Sequence, residues 1–486
     1  MSCYKTSFYN VLVPVEEEQE YLLYNLVSGG LEVLPWEEGK FIGEITGPSP
    51  VDFKDYPQHW ETLQYLYEKG FLVEEHTDEK KLYHQQYAGK QHLLYDRESA
   101  SINLTIGTTI LCNMGCAYCF EFVKPNKSLK DEKNFEGIMT YLEDMIRKSP
   151  VKRWEAINIT WYGGEPLINK GALAKLSPLL WELSRKYSMD YNASIITNGI
   201  LLTKENWLLL KEHHVQNVQV TIDGPREKHD KSRPLKGKKG GRNYELIMEN
   251  LTYIPDGMQA TIRINTDREV AESIDVLFSD FKNYGLWPQR YNAVTFSPAW
   301  LRTYEEANET DTSARLNVEE FYDFLQMFRK KRVKLFNEWA EQNSVGKARL
   351  KWMLPEIQEE CATWVSPYSL VMDPEGNIHK CWETIHESKQ AISHVSQGFD
   401  LETHRKFMEY DRCELNSICA NCKYMPVCDK LSCSHQAIKE GKPPCTFWKT
   451  KTEESLKDQY LLMKREPDTI VLPKHLMAAN TGHSNK

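Results

Sequence analysis

The sequence predicts an α/β protein: a partial (β/α)6 barrel of the TIM type over residues 99–345, with a winged-helix-like domain before it (1–98), a cysteine-rich domain after it (346–450) and a tail (451–486). Three observations carry that expectation. Between Ile102 and Trp339 six short apolar runs alternate with segments of helical period, the pattern of repeated βα units on a parallel sheet. Before them the order is strand, hairpin, helix and strand. After them, from Lys351 to Trp448, periodicity gives way to cysteine, proline and short polar turns. Such a region rarely builds a large apolar core and leans on bound metal instead.

Taken in order, Tyr9–Val15 reads as a strand and Tyr21–Leu34 as a hairpin. Trp60–Glu68 has helical period, and Gly70 is placed to cap it before a short strand, a wing, running to Glu75. The barrel strands are expected at Ile102–Ile110, Ala156–Trp161, Ser194–Thr197, Val218–Ile222, Thr261–Asn265 and Ala293–Phe296. The first helix between them sets Phe135, Ile138, Met139, Leu142, Met145 and Ile146 on one face. Later helices start near Gly171, Lys204, Tyr244, Val270 and Leu316, and the end of the chain, Thr481 to Lys486, is expected to fray. In such a sheet the chemistry belongs at the C-terminal ends of the strands.

The net charge is −9, from 60 basic and 69 acidic side chains. Residues 1–100 hold 18 acidic and 8 basic side chains, so that fifth is −10 and the remainder +1. Phosphate backbones are repelled there, and no nucleic-acid partner is expected. No apolar run approaches the roughly 18 residues that span a bilayer, and Met1 to Glu20 lacks a signal-peptide pattern. No membrane partner and a cytoplasmic location are the expectations. In a reducing compartment twelve cysteines point to metal or redox chemistry before disulfides. Cys3 stands apart, Cys112, Cys116 and Cys119 form a triplet, and eight more run from Cys361 to Cys445.

The triplet follows directly on the first barrel strand, which puts three thiols in a loop at the catalytic end of the sheet. Three thiolates in eight residues can hold three irons of a cubane and leave the fourth open. A zinc loop is the alternative, though zinc usually takes a fourth protein ligand. With Tyr118 before its last cysteine, the C-x3-C-x2-C loop resembles the signature of radical S-adenosylmethionine (SAM) enzymes. Three further motifs fall in order on successive strand ends: Gly163-Gly164-Glu165-Pro166, Thr197-Asn198-Gly199, and Thr221-Ile222-Asp223-Gly224-Pro225. The resemblance implies that Gly163, Gly164 and Glu165 hold the methionine amino group of S-adenosyl-L-methionine. It implies that Asn198, Thr221 and Asp223 contact its ribose and carboxylate, that Arg233 takes the carboxylate, and that Tyr118 belongs to the same pocket. Glycine lets the backbone come close and a carboxylate pairs with an ammonium. The implied reaction is reductive cleavage of the sulfonium to a 5'-deoxyadenosyl radical that abstracts hydrogen from the substrate.

In the second group Cys361 is followed by Gly376 and Cys381, then by Cys419-x2-Cys422-x5-Cys428-x4-Cys433 and finally Cys445. This spacing resembles the SPASM extension of radical SAM enzymes, with its last internal gap one residue longer. The resemblance implies two auxiliary 4Fe-4S clusters and so three 4Fe-4S clusters in all. Cys361, Cys381 and Cys433 would hold the nearer auxiliary cluster, and Cys419, Cys422, Cys428 and Cys445 the outer one. Relatives with a complete set carry a cysteine just before the position of Cys361, where this chain has Glu359 and Glu360. The nearer cluster is therefore left with an iron open to a substrate thiolate or to Cys413, which otherwise reads as a small apolar residue. Zinc is the rival for this group too, because C-x2-C pairs also make zinc ribbons.

SPASM-bearing relatives mostly modify peptides or proteins. Sulfatase maturases carry an aspartate just after the cysteine matching Cys381, and this chain has Trp382 and Glu383 there. The N-terminal region is similar to the precursor-recognition element of ribosomal-peptide (RiPP) maturases, which binds a leader peptide as an added strand. The other reading of that region is a cap on the barrel. The resemblance thus implies a radical SAM maturase that binds a precursor peptide through its leader, takes electrons from a flavodoxin or ferredoxin, and forms a thioether or other side-chain crosslink. Oxidation of a protein Cys or Ser to formylglycine is the alternative, and a non-catalytic zinc-binding adaptor a further one. No catalytic residue is assigned beyond the cluster and cofactor ligands. The basic loop from Lys236 to Arg242 reads as a solvated turn.

Overall fold

The structure, a computed structural model, describes residues 3–47, 49–92, 98–121, 125–237, 241–303 and 311–471, with the side chains of 88–92 excepted. The expected fraying of Thr481 to Lys486 and the middle of the Lys236 loop lie outside these residues. The chain divides into two compact units, one of residues 1–90, 326–361 and 411–486, the other of 91–325 and 362–410.

In the first unit β1 is Tyr4–Thr6, β2 Asn10–Val15, β3 Glu20–Asn25, β4 Leu31–Pro35 and β5 Leu72–Glu74. Strands β2, β3 and β4 form an antiparallel sheet, with Leu22, Leu23 and Leu34 buried. The expected helix is α2 (Trp60–Glu68), after α1 (Trp36–Glu44) and before α3 (Glu79–His92). Phe41, Ile42, Leu63, Leu66 and Phe71 join Leu23 and Leu34 in one core. The short strand after Gly70 is present, but its partner is β1, antiparallel, so the wing closes on the start of the chain. The helix Trp448–Arg465 belongs to this unit. Lys457 reaches Glu17 at 3.1 Å and Lys464 reaches Glu20 at 3.2 Å, while Tyr460 donates to Glu20. Part of the N-terminal negative charge is thus balanced within the unit.

The second unit is built on the six expected strands: β6 (Ser99–Thr109), β7 (Arg153–Gly163), β8 (Asp190–Thr197), β9 (Val215–Thr221), β10 (Gln259–Thr266) and β11 (Val294–Trp300). Each pairs in parallel with the next, in sequence order. Helix α4 (Glu132–Lys148) buries the expected stripe except Met139, which is half-buried while Tyr141 goes under instead. Helices α5 (Lys170–Lys186), α6 (Lys204–Glu212), α7 (Arg226–Ser232) and α8 (Asn243–Leu251) make the next crossovers. The sheet also continues past β6. Ser369–Met372 pairs in parallel with it, and Asn377–His379 and Ser393–His394 follow antiparallel, giving nine strands. Part of the cysteine-rich stretch is therefore sheet. Ser369–Met372 is only four residues long and buried throughout, so it shows no alternation to betray it.

Candidate functional site

Strands β6 to β10 end side by side at Thr109, Gly163, Thr197, Thr221 and Thr266, and the thiol triplet lies in the loop that leaves β6. That loop is bonded to its neighbours by main chain. Gly164 N–H donates to Thr109 O and Glu165 N–H to Leu111 O, both at 2.9 Å. A Cβ on Gly163 would stand 2.1 Å from Thr109 O, and one on Gly164 2.4 Å from Ile110 O and 2.5 Å from Leu111 O. The paired glycines are thus required by contact between the β7 end and the cysteine loop, a reason that spacing alone does not reveal. Gly163 also adopts φ +124°.

The Glu165 side chain is fully buried. It accepts from Thr197 Oγ1 at 2.8 Å, from Asn198 N–H at 2.8 Å and from Leu167 N–H at 3.1 Å. Burial raises its pKa, and the Asn198, Thr197 and Leu167 hydrogen bonds work against that rise. The carboxylate so clamps the end of β8, where Asn198 Nδ2 donates to Asn113 Oδ1 at 2.7 Å and lies 3.9 Å from Cys112 Sγ. From the other side Gly115 N–H donates to Pro234 O and Lys236 N–H to Asn113 O, both at 2.8 Å. The backbone at the start of the basic loop is therefore tied to the thiol loop, while Lys236 and Gly237 remain exposed to solvent, as expected.

Next to it, Tyr118 donates to Asp223 Oδ2 while Arg233 Nη1 donates to the Tyr118 hydroxyl at 2.5 Å and Asn265 Nδ2 to the same oxygen at 3.3 Å. Arg233 Nη1 is 3.9 Å from Asp223. Burial raises the Asp223 pKa against the pull of Arg233 and Tyr118. Burial disfavours the Arg233 cation, but Cys116, Tyr118 and Asp223 outweigh it. Burial also pushes the Cys116 thiol up to about 11, with Arg233 opposing. Behind Asp223, His229 Nδ1 accepts from its N–H at 3.1 Å.

Two buried polar atoms in this wall, Asp223 Oδ1 and Arg233 Nε, have no hydrogen-bond partner among the described residues. Buried polar atoms are almost always paired, so a carboxylate and a guanidinium with unmet capacity beside three thiols fit a polar, charged ligand held against a cluster.

In the first unit Asn416 caps the short helix Ser417–Ala420 by accepting from Cys419 N–H at 2.8 Å. The chain then turns tightly: Cys422 N–H donates to Cys419 O at 3.0 Å and Cys428 N–H to Met425 O at 3.3 Å. Burial raises the Cys428 thiol, and the Leu431 and Lys430 N–H groups pull it back, as amides around a cluster thiolate do. Lys449 Nζ lies 3.9 Å from Cys445 Sγ. Cys361 N–H donates to Ser432 O at 2.9 Å, which sets it beside the Cys433 turn. Cys381 belongs to the second unit. Its neighbour Trp382 packs on Tyr162, ring centroids 5.0 Å apart, in an apolar group with Ile110, Phe120, Ile196 and Ile385.

Asn113 and Asn265 are the site residues that sequence reasoning missed. Asn265 carried a signal, because it sits near the end of β10 just as Asn198 and Asp223 follow β8 and β9.

Residues 106–270 match the family model described as the radical SAM superfamily. The chain is 30% identical over 149 residues to a serine-type anaerobic sulfatase-maturating enzyme of Bacteroides thetaiotaomicron, covering 30% of this chain and 34% of that one. It is 26% identical over 262 residues to the radical SAM cyclopropyl synthase TigE of Paramaledivibacter caminithermalis, covering 49% and 53%. It thus spans between a third and about half of the length of these relatives. Its fold is similar to that of anSMEcpe solved with bound AdoMet and a Cp18Cys peptide: TM-score 0.52, 15% identity, 75% of this chain and 98% of that one. Over residues 106–270, where the thiol loop and all five strand ends around it lie, the chain is a radical SAM domain.

Proposed function

We propose that this protein is a radical SAM peptide maturase that cleaves S-adenosylmethionine reductively and oxidatively modifies a ribosomally made precursor peptide, forming a thioether or another side-chain crosslink. The observation that carries the reading is the thiol loop, held by main-chain bonds to the Gly-Gly-Glu turn and walled by Asn198, Tyr118, Asp223 and Arg233. When bound, a 4Fe-4S cluster on Cys112, Cys116 and Cys119 and its S-adenosylmethionine supply an electron and a hydrogen-abstracting radical. The chain's own residues position and exclude water. Arg233 and Asp223 offer opposite charges to a zwitterionic head group, Asn198 reaches between strand end and loop, and Glu165 fixes the geometry of both.

The substrate class rests on the fold's likeness to anSMEcpe, which is solved with a bound Cp18Cys peptide. Glu383 is 3.9 Å from Arg302 rather than poised as a free base. Cys419, Cys422, Cys428 and Cys445 are assigned to an outer auxiliary cluster and Cys361, Cys381 and Cys433 to a nearer one. These clusters would accept the second electron, and a flavodoxin or ferredoxin would supply the first. A lysine-bearing leader would meet what remains of the acidic N-terminal face.

Co-expression with a small peptide encoded beside the gene, followed by mass spectrometry, tests this. Loss of two hydrogen atoms, with fragmentation blocked across the linked residues and no aldehyde, is expected. The sulfatase-maturating relative favours one second reading, oxidation of a protein Cys or Ser to formylglycine. A hydrazide-reactive aldehyde on a peptide carrying a sulfatase loop would establish that reading instead.

A further inference from the structure

Among the described residues one group of metal-binding side chains contains none of the ten cysteines assigned to clusters, its Cys413 being only one of two alternatives for the open iron of the nearer auxiliary cluster. His84, on α3, faces Asp411 and Cys413 in the first unit, and one ligand atom of each lies within 4.8 Å of the others. His84 Nε2 and Asp411 Oδ2 are 2.6 Å apart. The other carboxylate oxygen, Oδ1, accepts from Cys413 N–H at 2.7 Å. Asp411 therefore orients both partners, holding the imidazole with one oxygen and the turn that carries the thiol with the other. All three side chains are partly exposed, so an ion can reach them. One turn away Lys80, also on α3, donates to Asn421 Oδ1 at 2.9 Å, so the helix lies along the chain that carries Cys413, Cys419 and Cys422.

We propose that His84, Asp411 and Cys413 form a mononuclear site for a zinc-class divalent cation, separate from the iron-sulfur clusters. One imidazole nitrogen, one carboxylate oxygen and one thiolate are a borderline donor set that suits zinc and excludes magnesium and calcium, which take oxygen ligands. Three protein ligands leave the fourth tetrahedral position to water. Binding exchanges protons for the metal: the Cys413 thiol gives up its proton and the His84–Asp411 hydrogen bond opens, so both groups face the ion as Lewis bases. Nothing is oxidised or reduced. The ion would tie α3 to the segment six residues ahead of Cys419, and Cys413 would belong to this site rather than to the nearer auxiliary cluster.

The test uses the full chain with its clusters reconstituted anaerobically, so that the cluster cysteines are occupied before zinc is added. After zinc loading and removal of loose metal, about one zinc per chain is expected, and zinc-edge X-ray absorption should show one sulfur at about 2.3 Å and lighter N/O donors at about 2.0 Å. His84→Ala and Cys413→Ser should each bring zinc to none while iron and sulfide stay at the wild-type count. A shell of three or four sulfurs would place the zinc in cluster cysteines and overturn the proposal, as would zinc retained by both variants or no zinc in the wild type. The wild-type spectrum decides even if a variant fails to fold.

Discussion

Gly164→Ala isolates the contact on which the site is built. Gly164 shows no positive φ, so alanine suits its backbone, and the only obstacle is space. The added Cβ would stand 2.4 Å from Ile110 O and 2.5 Å from Leu111 O. Reaching 3.0–3.4 Å from the nearer carbonyl demands a shift of about 0.6–1.0 Å between the β7 end and the thiol loop, taken by main chain that cannot rotate away. Overpacking on that scale costs about 1–3 kcal/mol. The larger effect falls on the chemistry, because a displacement near 1 Å at a positioned group costs on the order of 10²-fold in rate. Gly171, near the start of α5, is the control, since a Cβ there meets nothing within 4 Å. The assay is 5'-deoxyadenosine formation under anaerobic reduction, with iron content and urea midpoint measured alongside. Gly164→Ala should lose about two orders of magnitude while Gly171→Ala keeps full rate and stability. Equal rates for Gly164→Ala and wild type would refute the reasoning, because the loop would then tolerate the shift.

Three further outcomes follow from the geometry. Tyr118→Phe removes the hydroxyl shared by Asp223, Arg233 and Asn265; the apparent KM for S-adenosylmethionine should rise by about tenfold with iron content unchanged, as about 1–3 kcal/mol for buried groups left unpaired implies, and an unchanged KM would remove Tyr118 from the site. In the first unit Arg412 and Glu360 form a buried ion pair. Arg412→Ala should cost about 3–5 kcal/mol in urea unfolding, and the joint change of both residues to apolar side chains should recover most of it. Burial, and then the Lys380 charge, push the His404 imidazole down to about 3. Unfolded, it titrates near pH 6.5, so the unfolded state holds the extra proton between the two values. Stability is complete above about pH 6.5 and falls as pH drops, by up to about 1.4 kcal/mol per unit. His404→Gln should lessen the loss of urea midpoint between about pH 7 and about pH 5.5, and an equal loss in both proteins would contradict the assignment.

The parallel sheet was legible because strands such as Ile102–Ile106 and Val218–Ile222 set a buried apolar residue at every second position, and α4 writes its packing face at helical spacing. The Gly-Gly-Glu turn was legible as a motif but not in its reason, since the carbonyls of Ile110 and Leu111 that forbid a Cβ belong to the loop that leaves β6. The same holds for β5, whose partner β1 lies more than 60 residues earlier, and for Ser369–Met372, whose place beside β6 is fixed by long-range pairing. Asn113 and the Pro234–Lys236 segment enter the site by main-chain bonds that no side-chain pattern announces. Cys413 read as an apolar filler because His84, 327 residues before its neighbour Asp411, meets the pair only in three dimensions.

The most direct test of the central claim compares reconstituted wild type with a Cys112, Cys116 and Cys119 to Ala triple variant, counting iron and sulfide and assaying 5'-deoxyadenosine with reductant. About twelve iron per chain in the wild type, about eight in the variant and complete loss of deoxyadenosine are expected if three 4Fe-4S clusters are present and the first is the reactive one. Deoxyadenosine formation that survives in the triple variant, or an iron count the three substitutions leave unchanged, would contradict it.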